Sequence, residues 1–286
     1  MEYQQHQPPE GINTSTEHPL KEFFVLLSGV TLLMVVVVIV ISLAAHLLAP
    51  LIPFSAEQRI ANVFIEEQQD EVTGHNNAEL TRYLQSLADR VVVAQGLPAD
   101  MPITVHYLDS EEVNAFATLG GHIFFFRGLL EKVPDENTLM MVMAHEVAHI
   151  HYRHPIKALG RGVILGSAVA VLSLSVGSDL VANVMGEAGL VTALKFSREQ
   201  EEQADASALS SMVSIYGHLA GSTALFELLQ ESYKDSAESI EFFSSHPLTE
   251  NRLTHITEMT KREGWQLTGT LTPLPLRYSA WLEGEE

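Results

Sequence analysis

The chain has 286 residues, 46% of them hydrophobic and 18% charged, with 16 Lys and Arg against 36 Asp and Glu and no cysteine. That length allows one or two domains with a real core, and the apolar content excludes disorder of the whole chain. The net charge of −20 excludes a duplex-binding protein, and the lack of cysteine excludes a disulfide scaffold, a Cys-ligated zinc finger, an iron–sulfur site and a thiol nucleophile.

Residues 1–22 are polar and read as a disordered tail. From Phe23 to Phe54 there is no Asp, Glu, Lys or Arg. The apolar core, Phe23 to Leu48, would be about 39 Å long as a helix, enough to cross a hydrocarbon layer of about 30 Å. Pro50 and Pro53 end it, so residues 23–53 are expected to be an uncleaved transmembrane anchor; the run is too long for a signal peptide and lacks a basic flank before it. His46 would lie at headgroup level. Lys21 lies against the span and Arg59 farther off, which tilts the expectation to an inner-membrane, single-pass topology with the long C-terminal domain on the periplasmic or extracytoplasmic side.

Residues 56–262 read as one domain. Ala56–Gln68 has helical periodicity, and Glu71–Asn77 is a polar break. Ala78–Gln95 is an amphipathic helix with Leu80, Tyr83, Leu84, Leu87 and Val91 on one face, stopped by Gly96 and Pro98. Ile103–Leu108 alternates like a strand. Asn114–Thr118 and His122–Arg127 flank Gly120-Gly121 as a hairpin. Phe124, Phe125 and Phe126 suit either a strand covered on both faces or an edge strand beside a groove. A helix is predicted from Asp135 to about His154, closed by Pro155. Gly162–Ser178 is an uncharged stretch, short for a span, and is expected to be a protein-buried or membrane-surface helix. Ser197 and Gln200 fit a capping box opening a helix to about Tyr216, stopped by Gly217. His218–Tyr233 and Thr249–Arg262 are further predicted helices, and residues 263–286 read as an extended tail without an assigned role.

The sharpest chemical feature is His145-Glu146-Val147-Ala148-His149 within an apolar helix. Residues i and i+4 lie one turn apart on one face, so both imidazoles can meet one ion. Glu146 beside them could act as general acid and base on a water whose pKa zinc lowers toward about 7. No third histidine follows at the longer HExxHxxGxxH spacing, where Tyr152 and Pro155 stand instead. Glu201 and Asp205, i and i+4 on a later helix, are the candidates for a third ligand and for a brace on a ligand imidazole. The alternative for Glu199, Glu201 and Glu202 is a plain acidic helix start. His151 and His154 read as surface or packing residues.

Together, HEVAHIHYRH and FSREQEEQAD, with Ser197, Arg198, Glu201, Ala204 and Asp205 in place and His246-Pro247 and Arg252 beyond, resemble the membrane-associated zinc endopeptidases. That family includes HtpX, the CAAX prenyl proteases, the Oma-type protease, BepA and LoiP. Asn114-Ala-Phe116, Gly120-Gly121 and Gly128-Leu129 add to the likeness, which spans about residues 80–260. The resemblance implies an α+β, mainly helical, gluzincin-like metallopeptidase domain with a small sheet behind one transmembrane helix. It implies one zinc ion per chain on His145, His149 and Glu201, with Glu146 catalytic and Asp205 and Arg252 supporting. His246 would either stabilise the oxyanion or cap the zinc in a latent state. The hairpin of Gly120, Gly121 and His122 would bind substrate by strand addition. The expected partners are protein or peptide substrates and the bilayer, without nucleic acid, and the substrates would be misfolded or misassembled membrane or envelope proteins. The alternative is a latent membrane-tethered chaperone or adaptor with structural zinc; a prenyl-protein processing enzyme is disfavoured by the single clear span.

Overall fold

The structure, a computed structural model, describes residues 19–48, 51–67, 77–160, 196–224, 227, 246 and 250–284. The tail as far as residue 18 and the uncharged stretch Gly162–Ser178 lie outside the described residues.

Helix α1 (Pro19–Leu48) contains the 21-residue stretch Leu20–Val40, the one helix among the described residues long and apolar enough to cross a membrane. None of that stretch is buried against the protein. Helix α2 (Phe54–Glu67) follows directly. Helix α3 (Ala78–Gln95) opens on Asn77, whose side-chain oxygen accepts from the Glu79 and Leu80 N–H groups, and closes on Gly96 in the left-handed region. It buries Leu80, Leu84, Leu87, Ala88 and Val91, the face its periodicity predicts.

The sheet has three strands, β1 (Thr104–Leu108), β2 (Ala115–Ala117) and β3 (His122–Phe126), in the order β1-β3-β2. Strand β3 runs parallel to β1 and antiparallel to β2. It is therefore the middle strand and is covered on both faces. Ile123 and Phe125 enter the main core. Phe124 faces the other way and stacks on Phe116 and His106, with ring centroids 5.0 and 4.6 Å apart. The β2–β3 hairpin forms as predicted, through a 3-10 turn at Leu119–Gly121. Among the described residues, the strand of this hairpin that is paired on one side only is β2, so His122, on β3, does not lie on the open edge.

A short helix α4 (Arg127–Leu130) leads to α5 (Glu136–His151), capped by Asp135 through the Thr138 N–H. Every residue of α5 from Asn137 to Ile150 is buried, as befits a helix apolar nearly all round. It ends before the predicted His154. Arg153, the one non-glycine residue at positive φ (60°) among the described residues, breaks it. Residues 154–160 then resume helix, so Pro155 sits in the first turn of a new helix, where its missing N–H costs little, instead of closing the old one.

Helix α6 (Arg198–Tyr216) opens on the predicted capping box, with Ser197 N–H donating to Gln200 at 2.9 Å and Gln200 N–H to Ser197 at 3.3 Å. Gly217 at φ 78° stops it. Residues 217–223 are turns and bends, so helix does not begin at His218 as predicted; Ala224 and Glu227 are helical, and most of the rest of that predicted helix lies outside the described residues. Helix α7 (Glu250–Glu263) follows. The segment beyond it runs back over the domain to α8 (Tyr278–Leu282). Thr272 exchanges bonds with the start of α5 through Glu136 N–H (2.9 Å) and the Asn137 side chain (2.8 Å). Trp281 donates to Glu79 at 2.7 Å.

The hairpin turn is wedged against α2. A Cβ on Gly120 would lie 2.9 Å from the Gln58 Cα, and one on Gly121, at φ 90°, would lie 2.0 Å from the Pro102 carbonyl oxygen. Gly96, at φ 65°, faces open space. Gly96→Ala should therefore cost only the left-handed penalty of about 1–2 kcal/mol, whereas Gly121→Ala should cost clearly more. Urea unfolding midpoints of the full chain in detergent check this; equal losses would show that the turn is not tightly packed.

Candidate metal centre

Helices α5 and α6 pack face to face, with the fully buried alanines Ala144 and Ala148 on one and Ala204 and Ala208 on the other keeping bulk out of the way. Each helix carries a pair of polar side chains one turn apart: His145 and His149 on α5, Glu201 and Asp205 on α6. His246 arrives from the far side, before α7. All five are buried.

One donor atom from each of His145, His149, Glu201 and His246 lies within 4.8 Å of every other. The two histidine Nε2 atoms are 3.0 Å apart. Glu201 oxygens lie 3.4 Å from His145 Nε2 and 3.5 Å from His149 Nε2. His246 Nδ1 lies 3.3 Å from His145 Nε2 and 3.3 Å from a Glu201 oxygen. For metal–ligand bonds of about 2.0–2.1 Å, the edges of a coordination tetrahedron are about 3.3–3.4 Å. The cluster matches that size.

The opposite edges of the imidazoles decide what their Nε2 atoms present. His145 Nδ1 lies 3.0 Å from an Asp205 oxygen, and a carboxylate, which can only accept, favours the proton on that nitrogen. His149 Nδ1 meets His154 Nδ1 at 2.8 Å. With both Nδ1 atoms as donors, the two Nε2 lone pairs point at each other across 3.0 Å, an arrangement that calls for a cation between them. The charges agree. Among the described residues, the carboxylates of Glu201 and Asp205, with Glu146 beside them, are buried against the single guanidinium of Arg252, an acidic surplus that a cation would offset.

Arg252 ties the acids together. Its Nε and Nη2 donate to the two Asp205 oxygens at 2.8 and 2.7 Å, and its Nη1 reaches Glu201 at 2.9 Å. Burial opposes ionisation of Asp205, but Arg252 and His145 outweigh it and hold its pKa below the usual carboxylate value. Burial likewise opposes Glu201, and the three surrounding imidazoles bring it well below that range. Burial opposes a charge on His145, yet the Asp205 and Glu201 carboxylates outweigh it and raise its pKa to about 10.

Glu146 differs. Neither of its oxygens accepts a hydrogen bond within the described residues. His246 Nε2 faces it at 3.5 Å, and the Ala117 N–H of β2 lies on the same side; burial dominates and pushes its pKa up. A raised, unengaged carboxyl next to a cation site is poised to exchange protons. Strand β2, with its open edge, lies beside α5.

Gly120 and Gly121 are buried in the turn against α2, and His122 pairs with His106 at 2.9 Å. Burial lowers the pKa of both rings, His106 to about 4. His154, which reads as a packing residue in the sequence, is fully buried against His149, and Phe196 stacks on the His149 ring at 3.9 Å. No helical spacing points to His154, because the left-handed turn at Arg153 brings it back under α5.

The family model of peptidase family M48 matches residues 78–260, more than half of the chain. Among curated proteins, the chain is similar to a putative beta-barrel assembly-enhancing protease of Vibrio cholerae (25% identical, covering 65% of this chain and 40% of that one). It is similar to the mitochondrial metalloendopeptidase OMA1 of Schizosaccharomyces pombe (29% identical, covering 62% and 52%) and to the metalloprotease LoiP of Escherichia coli (30% identical, covering 57% and 65%). The chain thus spans less than two thirds of the length of these relatives.

Proposed function

The chain belongs to peptidase family M48, and on that premise we propose that it is a membrane-anchored, zinc-dependent endopeptidase acting on misfolded or misassembled membrane or envelope proteins. The observation that carries this reading is the buried convergence of His145, His149, Glu201 and His246 beside an unengaged Glu146. The nitrogen- and carboxylate-rich donor set suits zinc. A zinc ion held by His145, His149 and Glu201 would polarise the scissile carbonyl and bring the pKa of a water toward about 7.

The protein's own groups do the rest. Glu146 takes a proton from the attacking water and delivers it to the leaving amine, a role that its raised pKa favours. Asp205 keeps the His145 Nε2 lone pair turned toward the cluster, and Arg252 keeps Asp205 charged and holds Glu201 in place. Strand β2 offers unpaired backbone groups to an extended peptide, a mode that reads main chain more than side chains and suits unfolded segments. The apolar helix α1 supports anchoring, and the extracytoplasmic side is proposed from the flanking charges. The envelope substrates are proposed from the beta-barrel assembly-enhancing relatives.

The position of His246 favours a second reading of the same site, a latent state. With Nδ1 at 3.3 Å from both His145 and Glu201, it could serve as a fourth ligand where a catalytic zinc would keep a position for water.

Glu146→Gln should retain one zinc per chain and lose casein cleavage by about 10²–10⁴-fold; undiminished turnover with metal bound would refute the assignment. His246→Ala should raise turnover if that ring is a latch. A loss of turnover at unchanged zinc content would put it in the catalytic step instead.

A further inference from the structure

His154 is a buried side chain, in contact with the proposed metal ligand His149, that the proposed reaction leaves unused. Its ring meets that of His149 at a centroid distance of 5.0 Å and an interplanar angle of 66°, with the two Nδ1 atoms 2.8 Å apart. Its Nε2 lies 3.1 Å from the side-chain oxygen of Gln203, on α6. Both imidazoles are fully buried.

Resting on the reading of His149 as a metal ligand, we propose that His154 is a positioning residue that accepts the His149 Nδ1–H and so fixes His149 in the tautomer whose Nε2 lone pair faces the ion, with Gln203 orienting His154 in turn.

The hydrogen-bond bookkeeping supports this choice. Two neutral arrangements can join the Nδ1 atoms. In the first, His149 donates to His154, and His154 Nε2–H donates to the Gln203 oxygen. In the second, His154 donates to His149. His154 Nε2 would then be a lone pair facing the Gln203 oxygen, and His149 would carry its proton on Nε2, where a metal must bind. With Gln203 presenting its oxygen to His154, only the first makes a hydrogen bond of both His154 contacts. A doubly protonated His154 would be a buried cation, and no carboxylate lies within ion-pair distance of it among the described residues. The outer nitrogen of a metal-ligating histidine ordinarily donates in this way, and its partner raises metal affinity. Asp205 does so for His145; the second ligand has a neutral partner in His154.

The partner is held by a strained backbone. Arg153, at φ 60°, turns the chain back so that residue 154 falls beneath His149. The turn is held by a partly buried ion pair: Arg153 Nε donates to Glu57 at 2.6 Å, and Nη2 donates to the Ile52 carbonyl at 2.7 Å. Residues of α2 and of the stretch just after α1 thus brace the turn that positions His154.

The test compares His154→Asn with His154→Gln in the full chain purified in detergent. An Asn carboxamide oxygen can take the place of Nδ1 and accept from His149; a Gln carboxamide reaches instead to the Nε2 position. Zinc affinity, from competition with a chromophoric chelator, should stay near wild type for His154→Asn and fall about 10–100-fold for His154→Gln and His154→Leu. The cobalt-substituted absorption spectrum should be kept by Asn and altered by Gln. Equal affinities and spectra for Asn and Gln would overturn the proposal, even if the Leu variant fails to fold. His149→Ala separates the two levels. If it binds zinc as tightly as wild type, the metal-ligand reading itself fails and takes this inference with it. If it loses zinc while His154→Gln keeps it, only the inference fails.

Discussion

Two imidazole Nε2 atoms face each other across 3.0 Å in the interior of this protein. Each ring is met from behind, one by a carboxylate and the other by an imidazole. Lone pairs on both facing atoms would repel unless a positive charge sat between them, and among the described residues the buried acids Glu146, Glu201 and Asp205 outnumber the guanidinium of Arg252. The rest of the molecule serves that constraint. Helix α5 is buried on all sides because it must carry both imidazoles into a dry interior. Helix α6 packs against it and adds Glu201 and Asp205, and the neighbouring cationic and imidazole groups, Arg252 at Asp205 and the three histidines at Glu201, favour the ionised acids against burial.

A site built this way is costly to leave unsatisfied. Breaking one partner out of a buried charged network costs about 3–5 kcal/mol, so the fold and the ion are coupled energetically. The elements outside the family match contribute to that coupling. Helix α2 wedges the hairpin turn and pins Arg153, and the C-terminal strap holds the starts of α3 and α5. The metal helix is thereby held near both ends by segments that carry no catalytic motif.

Much of this was legible in the sequence because it depends on local rules. The buried face of α3, the capping box at Ser197, the stop at Gly217 and the Gly120-Gly121 hairpin follow from periodicity and backbone preference, and the structure has each of them. His145 and His149 share a face because i and i+4 always do. What escaped depends on non-local packing or backbone. Whether β3 is central or an edge is decided by its pairing with β1, which composition does not encode. The strap beyond Trp265 is held largely by hydrogen bonds that involve main-chain groups, which leave no pattern of side chains. Pro155 reads as a stop, yet it opens a helix once Arg153 has turned the chain, and the same turn hides His154 from any helical spacing.

The account stands on an ion bound by nitrogen and carboxylate donors from α5 and α6. X-ray absorption at the zinc edge of the full chain, purified in detergent, reads that coordination sphere without reference to activity. A shell of nitrogen and oxygen at about 2.0–2.1 Å, with the outer-shell scattering of imidazole rings, is the predicted result. A protein that retains no zinc, or holds it with oxygen ligands and no imidazole signal, would contradict it.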